Sequence, residues 1–266
     1  MKNTLTNIKR YLDILLISQY YEWKSDLIYR LQFVISILQT FLYVILNFVF
    51  ITVIYSVSNG IAGWNYYQLL MFSASAGIIT ALIAYFVSTN GISDALKYGY
   101  FDVLLTKPYN PLFLLIARSQ SLTQTSSIFW NIILFSYAAY HLSLGLSGLI
   151  PFVVFLLLGG IVFSSFIIFL VTLSYKVFTT SRWVSRIQSL VTSIGSYPLT
   201  IYGVIGVLIF TLAIPIGLAT YYPVQVFMGR INYQSFVLIL ILEIVFIVIF
   251  SRLFTELLKS YTSAMG

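Results

Sequence analysis

The sequence predicts an all-α membrane protein, on three observations. Of its 266 residues only 8% are charged and 60% are hydrophobic, whereas a soluble domain carries about 25% charged residues. The apolar residues gather into runs long enough to cross a bilayer. The basic residues fall in alternate connections between those runs.

A span needs about 20 apolar residues to cross a hydrocarbon core of about 30 Å. Six runs meet or approach that length: 31–55, 67–89, 112–140, 149–178, 187–212 and 236–257. The fifth is diluted by Ser, Thr, Gly and Pro198. The whole chain, 1–266, reads as one transmembrane domain. Aromatic residues reach 18%, and Tyr suits the two membrane–water interfaces.

Charge gives the orientation. Thirteen of the fourteen Lys and Arg lie in one alternate set of segments. Lys2, Lys9, Arg10, Lys24 and Arg30 precede the first run; Lys97, Lys107 and Arg118 follow the second. Lys176, Arg182 and Arg186 follow the fourth, Arg252 and Lys259 the sixth, and Arg230 alone lies opposite. The positive-inside rule then expects both termini in the cytoplasm of a multi-pass protein of the cell membrane. The net charge of +7 is accounted for as topology signals and lipid contacts, so no nucleic-acid partner is expected.

Before the first run, 8–27 reads as an amphipathic helix. Ile8, Leu12, Leu15, Leu16, Trp23 and Leu27 recur at helical spacing, with Lys9, Arg10, Asp13 and Glu22 on the polar face. It fits a helix lying in the headgroup region; a cytoplasmic extension of the first span is the alternative. No short apolar run with a small-residue cleavage site follows residues 1–10, so the mature chain is expected to keep this segment.

The outer loops 56–66 and 141–148 are short and almost uncharged. The segment 213–235 is longer and holds Pro215, Gly217, Pro223 and Gly229. It is too apolar for a solvated loop. Broken backbone at membrane depth is tolerated only under cover of protein or along a cavity, so a re-entrant outer segment is expected before the last span.

The inner loop 91–110 is the most informative stretch. Ser93 is expected to cap a short helix through Lys97, with Asp94 in its first turn and Gly99 ending it. Asp102 starts a second turn through Leu105, and Lys107-Pro108 and Asn110-Pro111 stop it. Tyr98, Tyr100, Phe101 and Leu105 are expected to be exposed, either as a docking surface or resting on the membrane.

Within the runs, several polar residues stand out. Asn47 lies in the first, and Gln120, Gln124 and Asn131 in the third, among Ser119, Ser121, Thr123, Thr125, Ser126 and Ser127. Such a face can line a translocation path or hydrogen-bond between helices. Glu243 is the one acid in the middle of a run, about 12 Å into the sixth. An intramembrane carboxylate points to substrate contact or proton relay, or to helix packing. Gly159-Gly160 with Ser164-Ser165 read as a helix contact.

Other chemistry is excluded. There is no cysteine, so no disulfide or thiolate metal site, and one histidine, His141. No G-x-x-x-x-G-K-[ST] phosphate loop occurs. Asp94 and Asp102 lack a base, nucleophile or metal partner, so no catalytic residue is expected.

The run Gly99, Asp102, Leu105, Lys107-Pro108, Asn110-Pro111-Leu112-Phe113 resembles the "G-x-L-D-x-x-L-x-K-P-x-N-P-L-F" stretch of type-2 ABC exporter permeases, with Phe101 where that pattern has Leu. Tyr197-Pro198, Ile201-Tyr202, Pro215, Tyr222-Pro223 and Gly229 resemble a second stretch of the branch formerly catalogued as a domain of unknown function. The resemblance implies six spans, an N-terminal elbow helix and a coupling helix in 91–110. It implies a non-enzymatic subunit, half of a channel with an identical or related second permease. A separate ABC ATP-binding subunit, carrying ATP and Mg, would dock on Asp94, Lys97, Tyr98, Phe101, Asp102, Leu105 and Lys107. Rival readings are an autonomous transporter or channel, which predicts broken helix pairs or several intramembrane charges, and a non-transporting scaffold.

Overall fold

The computed structural model describes residues 2–58, 63–118, 122–178 and 182–259. All regular structure among them is helical: α1 (Lys2–Ile28), α2 (Arg30–Ser58), α3 (Tyr66–Phe86), α4 (Thr89–Lys97), α5 (Tyr100–Leu105), α6 (Pro111–Ala117), α7 (Leu122–His141), α8 (Leu149–Phe178), α9 (Arg182–Gly195), α10 (Gly203–Leu208), α11 (Ile216–Phe227) and α12 (Tyr233–Lys259). A multi-pass membrane protein follows from length and composition. Four helical stretches are long and apolar enough to cross a membrane: Arg30–Val57, Tyr66–Lys97, Leu146–Ser174 and Tyr233–Lys259. A fifth forms if α9 and the segment Leu199–Ala213 count as one bent span.

The differences from the six expected runs have physical causes. The third run is divided: α6 ends at Ala117, and α7 restarts at Leu122. At 20 residues α7 is about 30 Å long, but Thr123, Gln124, Thr125, Ser126 and Ser127 lower its hydropathy. The fifth run is not one helix. It turns through 101° after Gly195, where Tyr197-Pro198 interrupts it. A residue before proline is pushed out of the helical region, and the missing N–H cannot continue the ladder.

The segment 213–235, expected as a re-entrant break, holds a regular helix at the centre of the bundle. Ile216, Leu218, Ala219 and Val224 of α11 are buried. Its closest neighbour is α8. A Cβ at Gly159 would strike the Leu218 carbonyl and the Ala219 Cα, so the glycine permits backbone-to-backbone approach. Gly159-Gly160 are a helix contact, as the spacing predicts.

α3 is the hub, packed against α2, α7, α8 and α11. Leu70, Met71, Phe72 and Ala74 are wholly buried, the pattern of a helix apolar on all sides. Asn65 caps it through a capping box with Gln68. Arg230 donates to Gln68 Oε1 at 2.7 Å and stacks over Trp64. The one basic residue opposite to the rest therefore ties α3 to the α11–α12 connection.

Candidate functional site

Beyond Val87 and Ser88 the chain re-enters helix as α4. Ser88, not Ser93, caps it, its Oγ accepting from the Gly91 amide at 3.0 Å. The helix thus starts earlier than expected, and Asp94 lies past its first turn. Gly99 adopts φ +72°, the left-handed conformation that glycine reaches without Cβ strain, and turns the chain into α5. Asn110 Oδ1 accepts from the Leu112 and Phe113 amides, and Pro111 takes the first helical position of α6.

This end of the molecule has an inner and an outer side. Ile92, Leu96, Phe101 and Leu104 are buried against the bundle. Asp94, Lys97, Tyr98, Leu105 and Lys107 are exposed, and Asp102 is half-buried. Phe101, expected on the exposed surface, is 1% exposed. It is the anchor of α5: a fully apolar ring gains more by burial than by facing water, and the six-residue helix has only Phe101 and Leu104 to hold it.

α1 covers the flank of this end. Tyr11 packs edge-on to Tyr109 and Phe113 at 5.6 and 4.7 Å. Leu12, Leu16, Tyr20 and Leu27 point outward and are exposed. Glu22 and Asp26 face a cleft of 520 Å³ shared with Asp94 and Arg118. Burial pushes the Glu22 carboxyl above its usual value; Arg118 pulls it down and Asp26 raises it again. Arg118 is held by the Tyr100 hydroxyl and ring.

A second site lies inside the bundle. Asn47, Gln124 and Asn131, which the sequence singles out separately, line one cavity of 260 Å³ between α2, α3, α7 and α9. Of the two other expected members, Gln120 lies outside the described residues and Glu243 lies elsewhere. Ser73 donates to Asn47 Oδ1 at 2.6 Å, and Asn131 Nδ2 donates to the Ser127 carbonyl at 2.9 Å. Thr80, Thr192 and Ser196 donate to carbonyls one turn back in their own helices, which satisfies a hydroxyl in apolar surroundings. Gly77 makes room for the Asn131 carboxamide; a Cβ there would collide with it.

Sequence reading missed two walls of this cavity. Ser73, Gly77, Thr80 and Ala84 recur on one face of α3, and Thr192, Ser193 and Ser196 on one face of α9. The signal was small and polar residues at three- to four-residue spacing, which in 187–212 read only as dilution of a span. Glu243 is not part of the cavity. It is wholly buried on the α12 face that meets α8, and neither carboxyl oxygen has a hydrogen-bond partner among the described residues. Phe236 against Phe155 and Phe250 against Phe166 flank it in that seam.

Among the described residues no group of His, Asp and Glu is placed to hold a metal ion. The family model for ABC-2 family transporter proteins matches residues 41–265. No curated protein and no solved structure matches.

Proposed function

The chain belongs to the ABC-2 transporter family, and on that premise we propose that it is the permease subunit of an exporter whose ATP, with Mg, is hydrolysed on a separate ATP-binding subunit. Membership makes it a membrane transport subunit. The finer reading adds the partner, the path and the direction.

The observation that carries the proposal is the continuity of α3 and α4. α3 lines the polar cavity with Ser73, Gly77 and Thr80. Only Val87 and Ser88 separate it from α4, which presents Asp94, Lys97 and Tyr98 outward. A push on α4 and α5 by a docked ATPase therefore reaches the cavity through one packed helix. Asp94, Lys97, Tyr98, Asp102, Leu105 and Lys107 form the docking face, and Phe101 holds it to the bundle. Asn47, Gln124 and Asn131 belong to the translocation path; Glu243 does not.

Six crossings complete the layout, with α6–α7 as the third and α9 through Leu199–Ala213 as the bent fifth. The basic residues then place the termini, α4 and α5 in the cytoplasm of a cell-membrane protein. α1, apolar side outward, is the interfacial elbow. α2 leaves Leu38, Leu42, Leu46, Val49 and Val53 uncovered along its length, a stripe suited to a second permease subunit or to lipid. An amphipathic drug, peptide or lipid-like substrate enters from the cytosol or inner leaflet and leaves outward.

Affinity purification of the full chain from its native membrane tests this. An ABC ATP-binding subunit is expected to co-purify, and to be lost with Leu105→Arg or Asp102→Arg. Absence of such a subunit, or unchanged recovery with both variants, sinks the proposal.

A further inference from the structure

We infer that the cavity between α2, α3, α7 and α9 receives an uncharged, hydroxyl- or amide-bearing portion of the substrate; this rests on the reading of that cavity as part of the path. Among the described residues its lining offers carboxamides and hydroxyls, from Asn47, Gln124, Asn131, Ser127, Ser193 and Tyr43, and no Asp, Glu, Lys or Arg. Glu243, in the middle of the last span, faces α8 instead.

Two physical arguments select the ligand class. A formal charge brought to membrane depth needs a counter-charge, since desolvation costs several kcal/mol per ion even after relaxation. This lining has none to supply. A hydroxyl or amide, in contrast, exchanges its hydrogen bonds with water for bonds with carboxamides, which donate and accept at once. Several lining groups are free to do so. The lining hydroxyls Thr80, Thr192, Ser193 and Ser196 bond to their own backbones. The Gln124 carboxamide, the Asn47 amide nitrogen and the Tyr43 hydroxyl make no hydrogen bond among the described residues.

The polarity is not general to voids in this bundle. On the opposite side of α3 lies a cavity of 480 Å³ lined by Ile79, Leu82, Ile83, Leu157, Ile161 and Phe254, with polar contributions from serine hydroxyls alone. A lipid tail needs no more than that. Of these two cavities, the one on the α7 side concentrates hydrogen-bonding groups.

The absence of cysteine makes the test direct, because Ser127→Cys supplies the sole thiol of the chain. The full chain with its ATP-binding subunit is placed in nanodiscs, and the rate of thiol modification by N-(2-hydroxyethyl)maleimide is measured. Hexyl glucoside is expected to slow it about tenfold at ten times its dissociation constant. Hexyltrimethylammonium and hexyl sulfate at equal concentration are expected to leave it unchanged. Asn47→Leu with Gln124→Leu is expected to abolish the protection while the unprotected rate stays, which also reports that the cavity persists. Equal protection by either charged probe, or glucoside protection surviving the double variant, overturns the inference and leaves the path in place. A thiol that fails to react with or without ATP means a cavity closed to water, and removes the path reading together with the inference.

Discussion

The two sides of α3 make an instructive pair. Toward α8 and α12 it presents Ile79, Leu82, Ile83 and Phe86 to an apolar cavity. Toward α7 and α9 it presents Ser73, Gly77, Thr80 and Ala84 to a polar one. Both sides belong to one helix over the same turns, so depth in the membrane does not explain the difference. Glycine serves this bundle in two ways. Gly159 lets two backbones touch, whereas Gly77 gives space to one side chain. The apolar side borders the larger space, 480 Å³, with few groups to bond, whereas the polar side gathers hydrogen-bonding groups around 260 Å³.

The largest expected effect strikes the α8–α11 contact beside them. Gly159→Val drives a side chain into the Leu218 backbone, which cannot rotate away, and should cost about 3 kcal/mol or more. A large drop in the thermal transition of the detergent-purified chain would show it; an unchanged transition would mean that α8 and α11 are not in such close contact.

The next test sets the sides against each other. Gly77→Leu displaces the Asn131 carboxamide and fills the polar cavity, while Gly160→Leu meets only the tip of Ile79. Each should cost about 1–3 kcal/mol by overpacking. ATP-driven transport in proteoliposomes should fall about tenfold or more in Gly77→Leu, as misplaced positioning groups cause, and stay near the parent rate in Gly160→Leu. Equal losses in the two would erase the distinction.

Glu243 sharpens the comparison from the apolar side. A buried polar group without a partner costs about 1–3 kcal/mol, so Glu243→Leu should stabilise the chain by that order and leave transport intact. Loss of transport with retained folding would return Glu243 to the path.

The smallest effect lies away from both cavities, at α1. Burial holds Glu22 above its usual 4.5, so the folded chain binds that proton more tightly than the unfolded one. The stabilisation from the proton is complete below 4.5 and is lost as pH rises through the folded value. Glu22→Gln should flatten this slight slope in thermal transitions measured across acidic pH.

Legibility differed between these regions for physical reasons. α2, α8 and α12 were readable because long apolar runs have few other stable environments. The α4–α6 end was readable in outline, since Gly99, Asn110 and Pro111 carry backbone instructions that hold in any context. Which ring of Tyr98 and Phe101 lies inside was not, because both are aromatic neighbours on a short segment. The bend near Pro198 was flagged as weakness in a span rather than as a turn. The helix α11 was not legible within 213–235, because its Pro and Gly residues suggest a break, while the bundle supplies the packing that keeps it helical.

By itself the sequence determined that this chain lives in a membrane and which residue types stand ready for hydrogen bonding inside. Those follow from the cost of taking polar groups and charges out of water, which is the same wherever the helices sit. Only the tertiary structure decided that Asn47, Gln124 and Asn131 converge while Glu243 turns away to α8. A polar side chain in an apolar run looks the same whether it bonds its own helix, bridges to a neighbour or borders a cavity. The packing of α3 between α7 and α8 makes that choice.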